Sequence, residues 1–455
     1  MKKQNLNMLE GPLFSNIVSY TVPIILTSLL QLLFNAADMI VVGRYCGSVS
    51  VASIGATGSI TNLIINLFIG LSVGAGVTVA HALGSRQYEA VHRTIHTAVP
   101  TSLVCGVILT VVGVSSAESL LRLMDTPESV LPLSTVYMQI YFGGITFTMV
   151  YNFCASILRA AGDTKNPLIF LTIAGVVNVV LNVIFVRLLN MNVAGVALAT
   201  IISQGISAVS MVVILMRRTD ACRLILSKMR FYKAQFFKML QIGLPAGIQG
   251  ALFNISNVLI QSSVNSFGDI FMSGNAAAQN IEGFVYVCIN SFSQTSVNFV
   301  GQNHGAHQYK RIQQTLWLCL GCVALVGISL GTLTYVFAPE LLSLYITDSA
   351  EAISYGIIRI AFICLPYFLL GLVDVTTGAL RGMGASVSPM VISVLGICGL
   401  RILWIYTIFH QPQFHTPQVL YFSYPMSWIF TFSIQLVVFF MVFRKHKRAA
   451  GYLPA

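Results

Sequence analysis

Apolar residues run along this chain in blocks separated by short polar breaks. The blocks are about 20 to 28 residues long, and a helix needs about 20 to cross the hydrocarbon of a bilayer, whereas a barrel strand needs about 10. The pattern therefore predicts helices. Reading between the breaks gives twelve spans, at 14–43, 50–82, 91–117, 131–160, 166–189, 193–217, 236–266, 276–303, 311–338, 353–380, 388–410 and 417–443. Several exceed what a bilayer requires, so tilted or kinked helices are expected.

Composition supports a lipid solvent. Hydrophobic residues make up 56 % of the chain and charged ones 9 %, against about 25 % charged in a soluble domain. Met1 to Asn7 is polar and basic, and the first apolar block is too long for a signal peptide and lacks a small-residue cleavage site, so it should stay as a membrane helix. The formal net charge is +11. Nucleic-acid binding explains it poorly, because the basic residues are scattered through short connections. Their placement reports topology instead. Twenty of the 25 Lys and Arg residues lie at the N-terminus (Lys2, Lys3), beside the connections that follow even-numbered spans, or in the tail from Arg444. Positive charge retained inside places both termini and those connections in the cytoplasm of a cell-membrane protein. Most of the nine cysteines are lone residues in apolar blocks. The pair Cys319 and Cys322 lies within a span without a second pair, which points to packing rather than metal or redox chemistry.

The chain repeats itself. "LRAAGDTKNP" (Leu158 to Pro167) matches "LRGMGASVSP" (Leu380 to Pro389). Arg159 and Arg381, Gly162 and Gly384, Pro167 and Pro389, and Pro23 and Pro245 are each 222 positions apart. "GSRQY" (Gly84 to Tyr88) and "GAHQY" (Gly305 to Tyr309) are 221 apart. The expectation is an all-α polytopic membrane protein with twelve transmembrane helices in two six-helix repeat bundles of the same orientation. These are an N-lobe at 1–217 and a C-lobe at 236–455, joined by a basic cytoplasmic linker at 218–235. Duplicated bundles are a transporter architecture, with substrate and coupling ion near the midplane and access alternating as the lobes rock. Pro23 and Pro245 each free a carbonyl within a span, as a static kink or as a hinge.

Of the 14 acidic residues, three fall deep within spans: Asp38, Asp374 and Glu282. Gln31, Asn35 and Asp38 are spaced by four and three, which sets them on one helical face. A polar stripe in lipid is costly, so that face should meet protein or a water-filled cavity. Asn178 and Asn182 are four apart in span 5, and Thr200 lies in span 6. For Asp38 the plain alternative is a fixed interhelical hydrogen bond. For the two Asn residues and Thr200 it is the amide and hydroxyl bridging common between membrane helices.

"NAADMIVVGR" in span 1, "GSRQY" after span 2, "LRAAGDTKNP" after span 4, "GQNHGAHQY" after span 8 and "LRGMGASVSP" after span 10 together resemble the multidrug and toxic compound extrusion (MATE) family. The match runs from about Pro12 to the last span. The resemblance implies an efflux antiporter that expels organic cations and other amphipathic drugs against inward proton or sodium flow. It also implies a cation site in the first lobe, carried over by position to Asp38, Asn178, Asn182 and Thr200. Many relatives carry Asp where this chain has Asn182. Sodium is a hard cation that wants several oxygen ligands. An Asn oxygen can still serve, but a lone carboxylate also suits a proton, and both ions stay open. The sodium-coupled branch of the family carries a Glu in span 7. The matching stretch "PAGIQGALFNISN" offers Gln249, Asn254 and Asn257 instead, which argues against a sodium site in the second lobe.

In the second half, Asp374 is the repeat partner of Asn152, and Arg401 falls beside the partner of Asn178. A buried Arg needs a counter-charge, for which Asp374 and Glu282 are the natural choices, as a permanent or a switching pair. Tyr141, Tyr367, Met149 and Phe153 are further cavity candidates, since aromatic and Met side chains can hold flat cations; ordinary packing is their alternative. There is no HExxH, GxSxG or phosphate loop, and His92 with His96 would need more ligands to bind metal. An enzyme and an organic cofactor are not expected. The partners expected are small-molecule drugs, organic cations and membrane lipid, around a monomer. A flippase for a lipid-linked precursor is the rival transporter reading. It should line its cavity with several basic residues for pyrophosphate, and only Arg359 and Arg401 lie deep.

Overall fold

The computed structural model describes residues 6–347 and 349–452, with only the backbone of Ser59. Lys2 and Lys3 lie outside the described residues. Among those described, every regular element is helical. In order these are α1 (Leu13–Cys46), α2 (Ser48–Gly84), α3 (Tyr88–Leu123), α4 (Leu131–Gly143), α5 (Ile145–Ala160), α6 (Lys165–Val183), α7 (Asn192–Arg217), α8 (Lys233–Asn265), α9 (Asp269–Gly305), α10 (Tyr309–Val336), α11 (Ala338–Ser343), α12 (Ala350–Ile363), α13 (Tyr367–Gly382), α14 (Val387–Ser393), α15 (Leu400–Trp404) and α16 (Pro417–Ala449). Among the described residues, eight helical stretches are long and apolar enough to cross a membrane, and ten if two bent pairs each make one crossing. Helices α8 and α9 match them in length, at 33 and 37 residues, but are more polar. These twelve stretches correspond to the twelve predicted spans.

The duplication is written into the backbone. Gly162 and Gly384 both adopt positive φ, at 84° and 86°, a conformation that favours glycine. Arg86 and His307 share a φ of 55°. The two bent pairs are repeat partners as well. Helices α4 and α5 meet at 46° around Gly144, and α12 and α13 at 44° just before Tyr367. Wider π-helical turns follow α6 at Ile184–Leu188 and occur again at Ile405–Phe409.

The chain divides into two compact units whose boundaries fall inside helices. Unit 1 holds Met1–Asn7 and Val22–Gly247; unit 2 holds Met8–Thr21 and Ile248–Ala455. Helix α1 thus changes unit one residue before Pro23, and α8 changes two residues after Pro245. Both helices continue through their prolines. In unit 2, Arg311 of α10 donates to the carbonyls of Met8, Glu10 and Gly11, at 3.0, 3.0 and 3.2 Å, and so anchors the segment before α1.

Within unit 1, α2 and the first half of α8 cross at two glycine pairs. A Cβ on Gly70 would lie 2.2 Å from the Gly247 nitrogen, and one on Gly74 would lie 2.1 Å from the Met239 carbonyl oxygen. Gly243 meets Gly70 and Leu71 as closely. Small residues four apart on both partners let the backbones touch, and in lipid such van der Waals contact replaces the hydrophobic drive. A core of α2, α3, α5 and α7 side chains, including Phe153, Ile157 and Met211, continues into the linker through Cys222 and Leu224.

That linker is packed against unit 1. The ring of His96, fully buried on α3, donates from Nδ1 to the His92 carbonyl at 2.7 Å and accepts the Ile225 N–H on Nε2 at 3.0 Å. Thr97 Oγ1 accepts the Tyr232 N–H at 3.2 Å, and Arg218 lies 3.6 Å from Asp163. His96, which the sequence considered only with His92 as a metal-ligand pair, helps to hold the linker.

Candidate functional site

Asp38 lies two turns before the end of α1. In unit 1 it faces α6 and α7. Asn182 donates its amide nitrogen to the Asp38 carboxylate and, at 3.3 Å, to the Asn178 side-chain oxygen. Asn178 in turn donates to Thr200 Oγ1 at 3.5 Å, and the Thr200 hydroxyl donates to the Val196 carbonyl at 2.9 Å. The four residues placed together by resemblance are therefore joined by hydrogen bonds. Asn178 and Asn182 are buried, and Asp38 and Thr200 are partly so. One atom stands out. The Asn182 side-chain oxygen is buried and has no hydrogen-bond partner among the described residues. A buried acceptor without a donor is costly. A proton carrier, a water or a cation would each satisfy it. The π-helical turn after α6 begins two residues later, and such turns recur at functional sites.

Two neighbours escaped the sequence reading. Tyr137 of α4 lies close enough to couple electrostatically to Asp38, and Val41, Val42, Val183, Val186 and Val196 form an apolar cluster beside it. The available signal was the Tyr137/Tyr141 pair at helical spacing, whose rings stack 6.2 Å apart. Gln31 and Asn35 share the Asp38 face by spacing but are exposed. Asn152 donates to the Thr148 carbonyl of its own helix at 2.8 Å. Met149 and Phe153 are fully buried in apolar clusters, which is packing rather than a cavity wall.

Unit 2 holds a separate polar network. Glu282 of α9 pairs with Arg359 of α12 at 2.7 Å, and its other oxygen accepts the Tyr367 hydroxyl at 2.9 Å. Arg359 also donates to Asn275 Oδ1 at 2.7 Å, which takes the Tyr421 hydroxyl at 2.8 Å. Arg401 of α15 does not take the partner expected from the sequence. It donates from Nε to Ser427 Oγ at 2.9 Å and lies flat on Tyr424, 3.9 Å from the ring centre. Glu282 went to Arg359 because α12 packs along α9 and presents that side chain at the same level. Asp374 accepts from Asn290 at 3.3 Å. Gln249 accepts from Arg381 at 2.8 Å. Asn254 is half-buried, with its amide nitrogen lacking a partner among the described residues, and Asn257 is exposed. Among the described residues no three His, Cys, Asp or Glu gather as a metal cluster, and all nine cysteines are free thiols.

The MatE family model matches the chain twice, over residues 23–184 and 245–407. The chain belongs to the MatE family. The two matched segments start 222 positions apart, the interval of the internal repeat. This MatE chain is 28 % identical over 392 residues to the probable multidrug resistance protein YpnP of Bacillus subtilis, covering 86 % of this chain and 87 % of that one. It is 26 % identical over 402 residues to the probable multidrug resistance protein YoeA of the same organism, covering 87 % and 86 %. Its fold matches an outward-facing multidrug resistance MATE transporter of the MOP superfamily with a TM-score of 0.91, at 20 % identity, over 98 % of this chain and 100 % of that one. The MatE chain is thus a multi-pass membrane transporter and not an enzyme.

Proposed function

We propose that this protein is a multidrug efflux antiporter of the cell membrane, with both termini in the cytoplasm. It exports lipophilic, mostly cationic compounds in exchange for an inward-moving cation. The observation that carries the reading is the Asp38–Asn182 hydrogen bond, beside an Asn182 oxygen that is buried without a donor among the described residues. A carboxylate in lipid is expensive and marks ion pathways. The proton is the favoured coupling ion, because the site holds a single carboxylate where the family resemblance implies a second at position 182. Sodium would use the oxygens of Asp38, Asn178, Asn182 and Thr200. Loading and unloading this site would drive alternating access of the lobes at 1–217 and 236–455. The relatives named for multidrug resistance support the substrate class.

The deciding experiment is ethidium efflux from vesicles under an imposed proton or sodium gradient, each alone. A response to the proton gradient only is expected. A response to sodium only would reassign the ion, and no response to either would remove the antiport reading.

A further inference from the structure

Among the described residues, unit 2 carries a buried positive charge that no carboxylate pairs with. Arg401 is 5 % exposed. Its guanidinium makes one hydrogen bond, from Nε to Ser427. The two terminal nitrogens have no acceptor among the described residues. The described carboxylates of unit 2 are engaged or exposed. Glu282 serves Arg359 and Tyr367, and Asp374 serves Asn290. Asp269, Glu340 and Glu351 sit exposed in the first turns of their helices. Among the described residues of this network, two guanidinium groups therefore face one carboxylate. A second donor lies beside them. The indole Nε1–H of Trp428 is buried without an acceptor, and that ring lies 5.6 Å from the Arg401 guanidinium carbon. Buried donors and charges are ordinarily paired. Here what is missing is an acceptor of negative charge. The surroundings are flat and aromatic: Tyr424 stacks under the guanidinium, and Tyr367 and Trp428 rings lie 5.5 Å apart.

We infer that Arg401 and Trp428 form a binding site for an organic anion, a carboxylate, sulfonate or phosphate carried on a flat aromatic ring. The guanidinium edge takes two anion oxygens as a fork, which Lys cannot reproduce. The indole N–H takes a third contact, and the rings hold the apolar body. The protein would then accept aromatic anions or zwitterions as well as cations. A phospholipid headgroup shares the oxyanion chemistry. Arg401 lies eight residues inside the end of its span at Phe409, about 12 Å along the helix axis, which favours a free organic anion.

The test uses the purified full-length protein in neutral detergent without any ion gradient, so it stands or falls apart from the antiport reading. Dansyl acid and dansylamide share one ring system and differ in charge, and each is titrated by its own emission. The sulfonate should bind about ten-fold tighter than the amide. Arg401→Gln should bring the ratio to near one. Arg401→Lys should keep part of the preference, and Trp428→Phe should reduce it several-fold. Equal affinity of the parent for both probes would overturn the site, whether or not Arg401→Gln folds. So would a ratio unchanged by Trp428→Phe and by Arg401→Lys. Displacement of the sulfonate by phosphatidylglycerol, but not by phosphatidylcholine, would assign the site to lipid and overturn the organic-anion reading.

Discussion

Asn182 on α6 gives its amide hydrogen to the carboxylate of Asp38 on α1, 144 positions earlier in the chain. The amide oxygen is left buried and without a donor among the described residues. One contact thus holds the only deep carboxylate described in unit 1 and exposes an acceptor next to it.

Asp38→Asn keeps the side-chain volume and the hydrogen bonding but removes the ionisable group. Gradient-driven ethidium efflux should fall at least about ten-fold, with membrane protein level unchanged by immunoblot. Full efflux in that variant would end the coupling role of Asp38. Asn182→Asp adds the second carboxylate, and its efflux should become responsive to a sodium gradient.

The Glu282–Arg359 pair is buried and hydrogen-bonded. Removing one partner leaves an uncompensated charge, so Glu282→Gln alone should cost about 3–5 kcal/mol. The double variant Glu282→Gln with Arg359→Met should recover most of that loss. Thermal melts of the purified variants measure both. A double variant as unstable as the single would show that the pair is not the unit of stabilisation.

Gly243 has the Leu71 Cα 2.6 Å from where a Cβ would stand. Gly243→Val should therefore push α2 and α8 apart at a cost of about 1–3 kcal/mol. Val at the partly buried Gly283, which has open space where a Cβ would stand, should cost far less. The comparison is a melting temperature for each.

His96→Phe removes both ring contacts to backbone and should loosen the linker. Losing that buried pairing costs about 1–2 kcal/mol, or about ten-fold in the population of the open linker. Limited trypsin digestion at Arg223, Lys228 and Arg230 should speed up accordingly. An unchanged digestion rate would mean that the remaining contacts suffice.

Cys222 sits in the same linker, buried, and burial pushes its thiol up from 9.0 to about 12. A raised thiol favours the neutral folded form. Its contribution to stability is complete below pH 9 and is lost as pH climbs towards 12. In membranes at pH 8, N-ethylmaleimide should leave Cys222 unlabelled until detergent unfolds the linker. Rapid labelling in the native state would contradict the packed linker.

The chain's own pattern determined the helices, their approximate ends and the duplication. Each follows from local chemistry: block length, proline and glycine placement, and a repeat interval that the backbone reproduces at Gly162 and Gly384. It also determined that Asp38 shares a face with Gln31 and Asn35, because helical period is local. Which partner meets that face was decided by tertiary packing. Spacing gives the angle at which a side chain leaves its helix, but not which helix stands opposite or at what height. That is why Arg401 looked like the natural mate of Glu282, and packing gave Glu282 to Arg359 instead. The same holds for Tyr137 beside Asp38, for His96 clasping a linker about 130 residues away, and for units whose boundaries cut α1 and α8 beside their prolines. Those contacts join residues far apart in sequence, and only the packing of helix on helix brings them together.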